Sequence, residues 1–100
     1  MDLIWTRLFR TPSDTLLAAA DEELLGKTLK DGKYRLEVSE NFYKEVLVED
    51  HALKDLLPMC TVANLVGKRC VSIAIELEYI SNENVIYIEG IPHAQFTSMV

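Results

Sequence analysis

The sequence contains few of the residues that mark a secreted or membrane-bound protein. Only two cysteines are present, Cys60 and Cys70, whereas a short disulfide-stabilised domain normally carries a larger even number. The longest apolar runs, at Leu16–Ala20 and Val71–Ile75, fall far short of the roughly 20 residues that a membrane-spanning helix needs. The N-terminal residues do not resemble a secretory signal. We therefore expect a cytoplasmic protein without membrane contact, whose reduced thiols are buried as small apolar groups.

Clusters of basic residues are also scarce. Sixteen acidic residues against ten basic ones give a formal net charge of −6. Lys27, Lys30 and Lys33 form a loose group, and Lys68 and Arg69 are the only adjacent basic pair. Because electrostatic binding of a phosphate backbone needs clustered Lys and Arg, we expect no strong direct binding of nucleic acid. A protein partner within a ribonucleoprotein machine remains compatible with this charge.

Length and composition indicate one folded domain. The chain has 100 residues, of which 49% are hydrophobic, enough for a single core and far from the composition of a disordered segment. We expect one domain over residues 1–100, with residues 96–100 as a flexible tail. Two or three short helices and a mixed sheet, in a small α/β or α+β sandwich, fit this length.

Turn residues and apolar patterns predict mostly short strands. A hairpin is expected at the start of the chain, with a turn at residues 11–14. Short helices are expected within Asp21–Leu29, at Ser39–Tyr43, and from Glu49 until Pro58 ends or bends the helix. Gly90-Ile91-Pro92 is expected to break the last strand. Strands are predicted at Leu3–Phe9, Thr15–Ala20, Tyr34–Val38, Val46–Val48, Thr61–Val66 and Val85–Ile88.

The segment from Val71 to Tyr79 is ambiguous. Its odd positions are apolar and its even positions are Ser, Ala, Glu and Glu, which is the alternation of a half-buried strand. On a helical wheel the apolar residues cover a broad arc that encloses Glu78. Alternation alone therefore favours a strand.

The segment Gly90–Gln95 is the best candidate for a functional site. It places His93 and Gln95 just after a predicted buried strand, where ligands of α/β sheets gather. His93 has an ordinary pKa near neutrality and suits a base, a ligand or a hydrogen-bond anchor. The alternative is that Pro92 turns the chain and that the two polar side chains only cap backbone groups.

A second candidate segment, Asp21–Lys27, combines Asp21, Glu22 and Glu23 with Lys27. Paired carboxylates can bind a divalent cation or transfer protons, but a capped and solvated helix start, which we favour, explains the same residues without any chemistry. Gly26-Lys27-Thr28 resembles the end of a phosphate-binding loop, yet Asp21 occupies the position of the required upstream glycine.

Other polar residues give weaker signals. His51, Cys60, Cys70 and His93 lack the close pairs that mark a zinc site, and we predict neither a metal nor a cofactor. A nucleophilic pair of either cysteine with His93 is not indicated by any spacing. Asn64 lies in an apolar run and is either a binding residue or a partner for buried backbone groups.

Four blocks of the sequence resemble a known family when taken together. The blocks are residues 21–28 (DEELLGKT), 36–39 (LEVS), 63–68 (ANLVGK) and 90–95 (GIPHAQ). In this order they resemble the small archaeal proteins of domain of unknown function 424, over residues 1 to about 95. Pro58 and the tail after Gln95 depart from the family's pattern.

This resemblance implies a compact α/β fold, a cytoplasmic archaeal setting and a helix at residues 68–80. The helix contradicts the alternation argument, and we adopt it because strand, helix and strand then form a compact crossover unit. The blocks correspond here to Asp21, Lys27, Asn64, Gly67, His93 and Gln95, and no activity is implied for them.

Two functions follow as hypotheses. The first is a non-enzymatic binding module, an accessory to translation or RNA-related machinery, whose protein partner contacts Asp21–Lys27 and Gly90–Gln95 lying side by side. The second is a small-molecule binding domain or enzyme, in which His93 is the acid or base and Asp21 or Glu23 its partner. Self-assembly into a homo-oligomer is a further alternative.

Overall fold

The computed structural model describes residues 2–98 and contains a six-stranded mixed sheet. Its strand order is β5-β1-β2-β6-β8-β7. β1 and β2 form the expected antiparallel hairpin, whereas β2 and β6 are parallel neighbours. The strands are β1 (Ile4–Arg10), β2 (Thr15–Asp21), β5 (Val46–Val48), β6 (Val62–Val66), β7 (Ile86–Ile88) and β8 (Ile91–Thr97).

A two-stranded hairpin and three helices cover the two faces of this sheet. The hairpin consists of β3 (Thr28–Asp31) and β4 (Tyr34–Glu37), and the helices are α1 (Glu40–Tyr43), α2 (Asp50–Leu56) and α3 (Lys68–Glu76). No helix in the part of the chain that the structure describes is long and apolar enough to cross a membrane. The expected small sandwich of a mixed sheet with two to three short helices is confirmed.

Two apolar clusters lie on opposite faces of the sheet. Side chains alternate between faces along each strand, so Leu17, Ala19 and Leu65 face α2 and α3. Ala18, Ala20 and Val66 face the small hairpin and α1. The first surface is called the helical face below, and the second is called the hairpin face.

The segment Asp21–Leu29 is less helical than expected. Only Glu22–Leu24 form a single 3₁₀ turn, and the chain then turns at Gly26, whose φ of +88° favours glycine. Gly26 N donates to Val38 O and Val38 N donates to Lys27 O. These bonds start the small hairpin before a longer helix can form.

Residues 68–76 form a helix, so the strand indicated by alternation is wrong. Cys70, Val71, Ile73 and Ala74 are its buried residues, which is the i, i+1, i+3, i+4 spacing of a helix against a sheet. The helix ends at Glu76 rather than near residue 80. β6 and β7 both run antiparallel to β8. They are therefore parallel to each other, as in the expected crossover, with β8 inserted between them.

The segment after Gly90, where the sequence predicts a break, forms the long strand β8. Pro92 is tolerated because it is the second residue of the strand, next to the end of β6 at Val66. At this position its carbonyl oxygen accepts a hydrogen bond from Gly67 N. Phe96 and Thr97 belong to β8, and the Phe96 ring stacks on Tyr79. The expected flexible tail therefore does not begin at residue 96, and its last two positions lie outside the described residues.

Candidate functional site

Asp21 ends β2 and caps the N-terminus of α3. Its Oδ2 accepts from Arg69 N at 2.8 Å and its Oδ1 accepts from Cys70 N at 3.0 Å. Two of the backbone donors that a helix start leaves unpaired are thereby satisfied. Burial raises the pKa of the Asp21 carboxyl above its ordinary value, although the two backbone donors act in the opposite direction. Asp21 is a structural anion at the helix start.

Gly67 makes this arrangement possible. It connects β6 to α3 with φ +115° and ψ 153°, a region that is open almost only to glycine. A Cβ atom at this position would lie 2.3 Å from Asp21 Cγ. The glycine therefore allows the carboxylate to pass over the backbone and reach the helix.

Arg69 joins α3 to α2 and to the N-terminal segment. Its Nη1 donates to both carboxylate oxygens of Asp50 at 3.0 and 3.1 Å, and its Nη2 pairs with Asp2. Asp50 is the first residue of α2. This cation is thus committed to two carboxylates and is not available to bind a free anion.

Asn64, His93 and Gln95 come together on the hairpin face of the sheet. Asn64 and Gln95 are directly opposed in the β6–β8 ladder, and His93 is opposite Val66. Asn64 Oδ1 accepts from the Tyr43 hydroxyl at 2.6 Å. Burial raises the pKa of this hydroxyl, which therefore remains a proton donor. We call Asn64, His93 and Gln95 the polar face.

The His93 ring is held by the backbone. The side chain is 8% exposed, and its Nδ1 lies 2.9 Å from Leu65 O. A carbonyl only accepts, so Nδ1 carries the proton and Nε2 is an acceptor in the neutral ring. Burial lowers the pKa of His93, which favours this neutral form. Nε2 has no hydrogen-bond partner among the described residues. Every fully buried side-chain nitrogen or oxygen of these residues does have such a partner. Nε2 is therefore not fully buried and can contact solvent.

A shallow cleft of about 310 Å³ lies beside this ring. Besides His93 it is lined by Asn84, Ile86, Ala94 and Gln95. The cleft lies beside the start of β7, because Ile86, the first residue of β7, is paired with His93 and the β7–β8 ladder does not continue beyond this pair. The outer backbone edge of β8 from residue 94 to residue 97 therefore has no strand partner in the described chain.

The acid–base pair of the second hypothesis is not formed. Asp21 lies on the helical face with α3, while His93 lies on the hairpin face. Glu23 is exposed in the 3₁₀ turn, and among the residues described no carboxylate lines the His93 cleft. His93 with Asp21 or Glu23 is therefore wrong as a catalytic pair.

The two candidate segments do lie at one end of the sheet. Asp21 and Pro92 both lie next to Gly67. The Asp21 side chain passes over Gly67 to cap α3, and Gly67 N donates to Pro92 O. Leu24 packs in the same cluster as Ile88 and Ile91. Glu23 and Lys27 are exposed on this end.

Neither cysteine has the environment of a nucleophile. Cys60 and Cys70 are both buried free thiols, and burial raises the pKa of each. Cys70 also lies close to the Asp21 anion, which disfavours its thiolate further. No group of His, Cys, Asp and Glu suited to a metal ion occurs within residues 2–98.

Sequence reasoning missed Tyr43 and Arg69. The sequence predicts a helical turn at Tyr43 and indicates no role for it, although a buried aromatic hydroxyl needs a hydrogen-bond partner. Arg69 was noted only as half of a basic pair. A basic residue at the start of an amphipathic helix, with acidic residues before another helix, is the signal that favours an interhelical ion pair.

Comparisons with known proteins agree with the fold. No curated protein matches the chain. A crystal structure of an uncharacterized conserved protein from Methanopyrus kandleri superposes with a TM-score of 0.81 at 23% sequence identity, covering 98% of this chain and 95% of that one. Residues 9–99 match the family described as "protein of unknown function (DUF424)". The resemblance of the four sequence blocks is thereby confirmed, and the chain belongs to the DUF424 family.

Proposed function

We propose that the protein is a non-enzymatic binding module that contacts a protein partner through the polar face, as an accessory of translation or RNA-related machinery. The observation that carries the proposal is the open edge of β8 beside this face. Backbone N–H and C=O groups at such an edge can pair with an added strand of another protein.

The side chains at this edge suit an uncharged polar partner segment. His93 offers an unprotonated Nε2, and Gln95 is exposed with an amide that both donates and accepts. Asn64 Oδ1 already accepts from the Tyr43 hydroxyl of α1. Hydrogen bonds of this kind select a partner without requiring a charge on either side.

The charge of the chain favours contact through protein rather than through RNA. The net charge of −6 opposes a phosphate backbone, and Arg69 is already paired with Asp50 and Asp2. Within RNA-related machinery, the module would therefore bind a protein component. A cytoplasmic location belongs to the proposal, since both thiols are free and buried.

Affinity purification from the cells that produce the protein tests this function. The tagged wild type, His93→Ala and Gln95→Ala are compared with Ser72→Ala, a control on the exposed side of α3. We expect a protein of the translation or RNA machinery in stoichiometric amount, retained after ribonuclease treatment and weakened by the first two changes only. Recovery of the chain alone or self-assembled, or loss of the partner with ribonuclease, would contradict the proposal.

A cleft ligand is the second candidate, and the accessible Nε2 of His93 favours it. A neutral ring beside two amides fits a small uncharged molecule with an N–H donor. Nuclear magnetic resonance (NMR) titration with uracil and with acetamide checks this. Shift changes confined to residues 84, 86 and 93–95 would support it, and their absence at millimolar ligand would exclude these two compounds.

A further inference from the structure

The opposite edge of the sheet has a second open stretch of backbone. β5 pairs only with Ile4–Thr6 of β1, whereas β2 pairs with β1 along its whole length. Arg7–Arg10 thus pair with β2 on one edge, and on the other edge their backbone groups have no hydrogen-bond partner among residues 2–98. An unpaired strand edge of this kind is a template for one more strand.

An apolar groove lies next to this edge, between the sheet and α2. It has a volume of about 300 Å³, and its walls include Leu8, Val46, Val48 and Leu56. Val46 is 52% exposed, and Leu8, Val48, Ala52 and Leu56 are its aliphatic neighbours in the groove. The groove accepts apolar side chains that project from a strand added beside β1.

The charged groups of the groove are all negative. Glu45 and Asp55 line it, and no basic residue of the described chain does so. Both carboxylates are exposed and free of the ion pairs that the structure shows for other acidic residues. A segment that fills the groove is therefore favoured when it carries positive charge.

We propose that this groove binds an extended, basic segment of a partner protein. The segment adds to the open edge of β1, places alternate aliphatic side chains between Leu8 and Leu56, and brings its lysines or arginines to Glu45 and Asp55. A second copy of this chain is disfavoured as occupant, because each copy has a net charge of −6 and would bring its own carboxylates to the contact.

This inference goes beyond the proposed function and does not depend on it. The groove lies at the β5 edge, while the polar face lies beside the β7 edge, at the far end of the strand order. Changes at one edge therefore test one binding site without altering the other.

A peptide probe tests the groove directly. The ¹⁵N-labelled full chain is titrated with a blocked six-residue peptide that alternates lysine and valine, and with its glutamate–valine counterpart. We expect shift changes at residues 7–10, 45–48 and 52–56 with the lysine peptide only, weakening as salt rises from 50 to 500 mM. A lysine peptide N-methylated at alternate residues cannot complete the strand ladder and should not bind.

Matched variants distinguish the effect of the two groove carboxylates on peptide binding from the effect of the net charge of the chain. We expect the double change Glu45→Gln and Asp55→Asn to weaken peptide binding about 2- to 30-fold, the range for two exposed ion pairs. The control, Glu22→Gln with Glu37→Gln, removes the same charge from exposed positions elsewhere and should leave binding nearly unchanged.

Several results would overturn the inference. They are shift changes at residues 93–97 instead of the groove, equal binding of the glutamate peptide, equal weakening by both double variants, or no shift change at 2 mM peptide. Sedimentation as a dimer, together with no shift change at residues 7–10, 45–48 and 52–56 on addition of the lysine peptide, would assign the groove to a second copy.

Discussion

At the level of single residues, Asp21 occupies the place where many α/β proteins bind an anionic ligand. β6, Gly67 and the start of α3 form a strand–glycine–helix unit, and the end of β2 lies beside it. Helix N-termini attract anions. Here the carboxylate of Asp21 already accepts from Arg69 N and Cys70 N. The protein has filled this position with its own side chain, which excludes phosphate binding there.

Substitution of Gly67 tests how closely this unit is packed. Gly67→Ala introduces a Cβ that lies 2.3 Å from Asp21 Cγ, at a φ of +115°. We expect the free energy of unfolding to fall by about 2–4 kcal/mol, from backbone strain and loss of the cap. The control is Gly90→Ala, which has φ +78° and no heavy atom within 4 Å, and it should lose only about 1–2 kcal/mol. Equal losses in urea denaturation would contradict this account.

The pH dependence of stability reports the burial of Asp21. Its pKa is raised above 3.8 in the folded chain, so the folded state binds the proton more tightly than the unfolded state. The contribution of this group is therefore full below pH 3.8 and declines as pH rises through the folded pKa.

Asp21→Asn, which does not titrate, isolates this effect. The unfolding free energy of the wild type minus that of Asp21→Asn should decrease as pH rises from 3.5 to 7. An increase over this range would show a lowered pKa, as for a solvent-exposed capping carboxylate, and would contradict the burial argument.

His93 should titrate in the opposite sense. Burial lowers its pKa below 6.5, so the folded state binds fewer protons than the unfolded state near that pH. Stability from this group is full above pH 6.5 and is lost as pH falls through the lowered value. NMR of the ring should show a midpoint below 6.5 and a proton on Nδ1. A midpoint above 6.5 would indicate a stabilised imidazolium.

At the level of elements, one buried hydrogen bond ties α1 to the sheet. The Tyr43 hydroxyl donates to Asn64 Oδ1 at 2.6 Å, and Tyr43 is 1% exposed. We expect Tyr43→Phe to lower the free energy of unfolding by about 0.5–1.5 kcal/mol. Tyr34→Phe, at an exposed tyrosine, should change it by less than about 0.5 kcal/mol.

A double-mutant cycle distinguishes the bond from packing. If the Tyr43–Asn64 bond is the cause, the losses in Tyr43→Phe and Asn64→Ala will not add, because each change removes the same interaction. Additive losses would show that the two residues stabilise the fold separately.

Most elements could be predicted from the sequence because their signals are local. The β1–β2 hairpin has a Pro-containing turn, and Ser39 accepts from Phe42 N as the cap of α1. α3 and β8 needed tertiary information. Val71–Tyr79 alternates like a strand, but the sheet beneath it buries residues at helical spacing. Pro92 suggests an interruption, but its position at the start of β8 removes the conflict with the ladder.

The candidate site was predictable only in part for a similar reason. Asn64, His93 and Gln95 were chosen separately, and only the register of β6 with β8 brings them together. The sequence suggests Asp21 as the cap of the helical segment that directly follows it, but the side chain makes no bond to that 3₁₀ turn and caps α3 instead. The sequence does not reveal which face of the sheet a residue at a strand end occupies. For this reason it does not show that Asp21 and His93 lie on opposite faces.

At the level of the whole molecule, one acidic domain exposes two open strand edges at opposite ends of its sheet. The β8 edge has neutral polar groups, and the β1 edge has an apolar groove with carboxylates. The chain has a net charge of −6, so both edges favour protein segments over nucleic acid. Under the two proposals, each edge binds one protein segment.

Site-specific photocrosslinking in the cells that produce the protein tests the central claim most directly. A benzophenone amino acid replaces Gln95 at the β8 edge or, as control, Ser72 on the exposed side of α3. The account predicts a discrete crosslinked protein from position 95, resistant to ribonuclease, and none from position 72. Crosslinks to RNA alone, equal products from both positions, or no product from position 95 would contradict the proposal that this edge binds a protein partner.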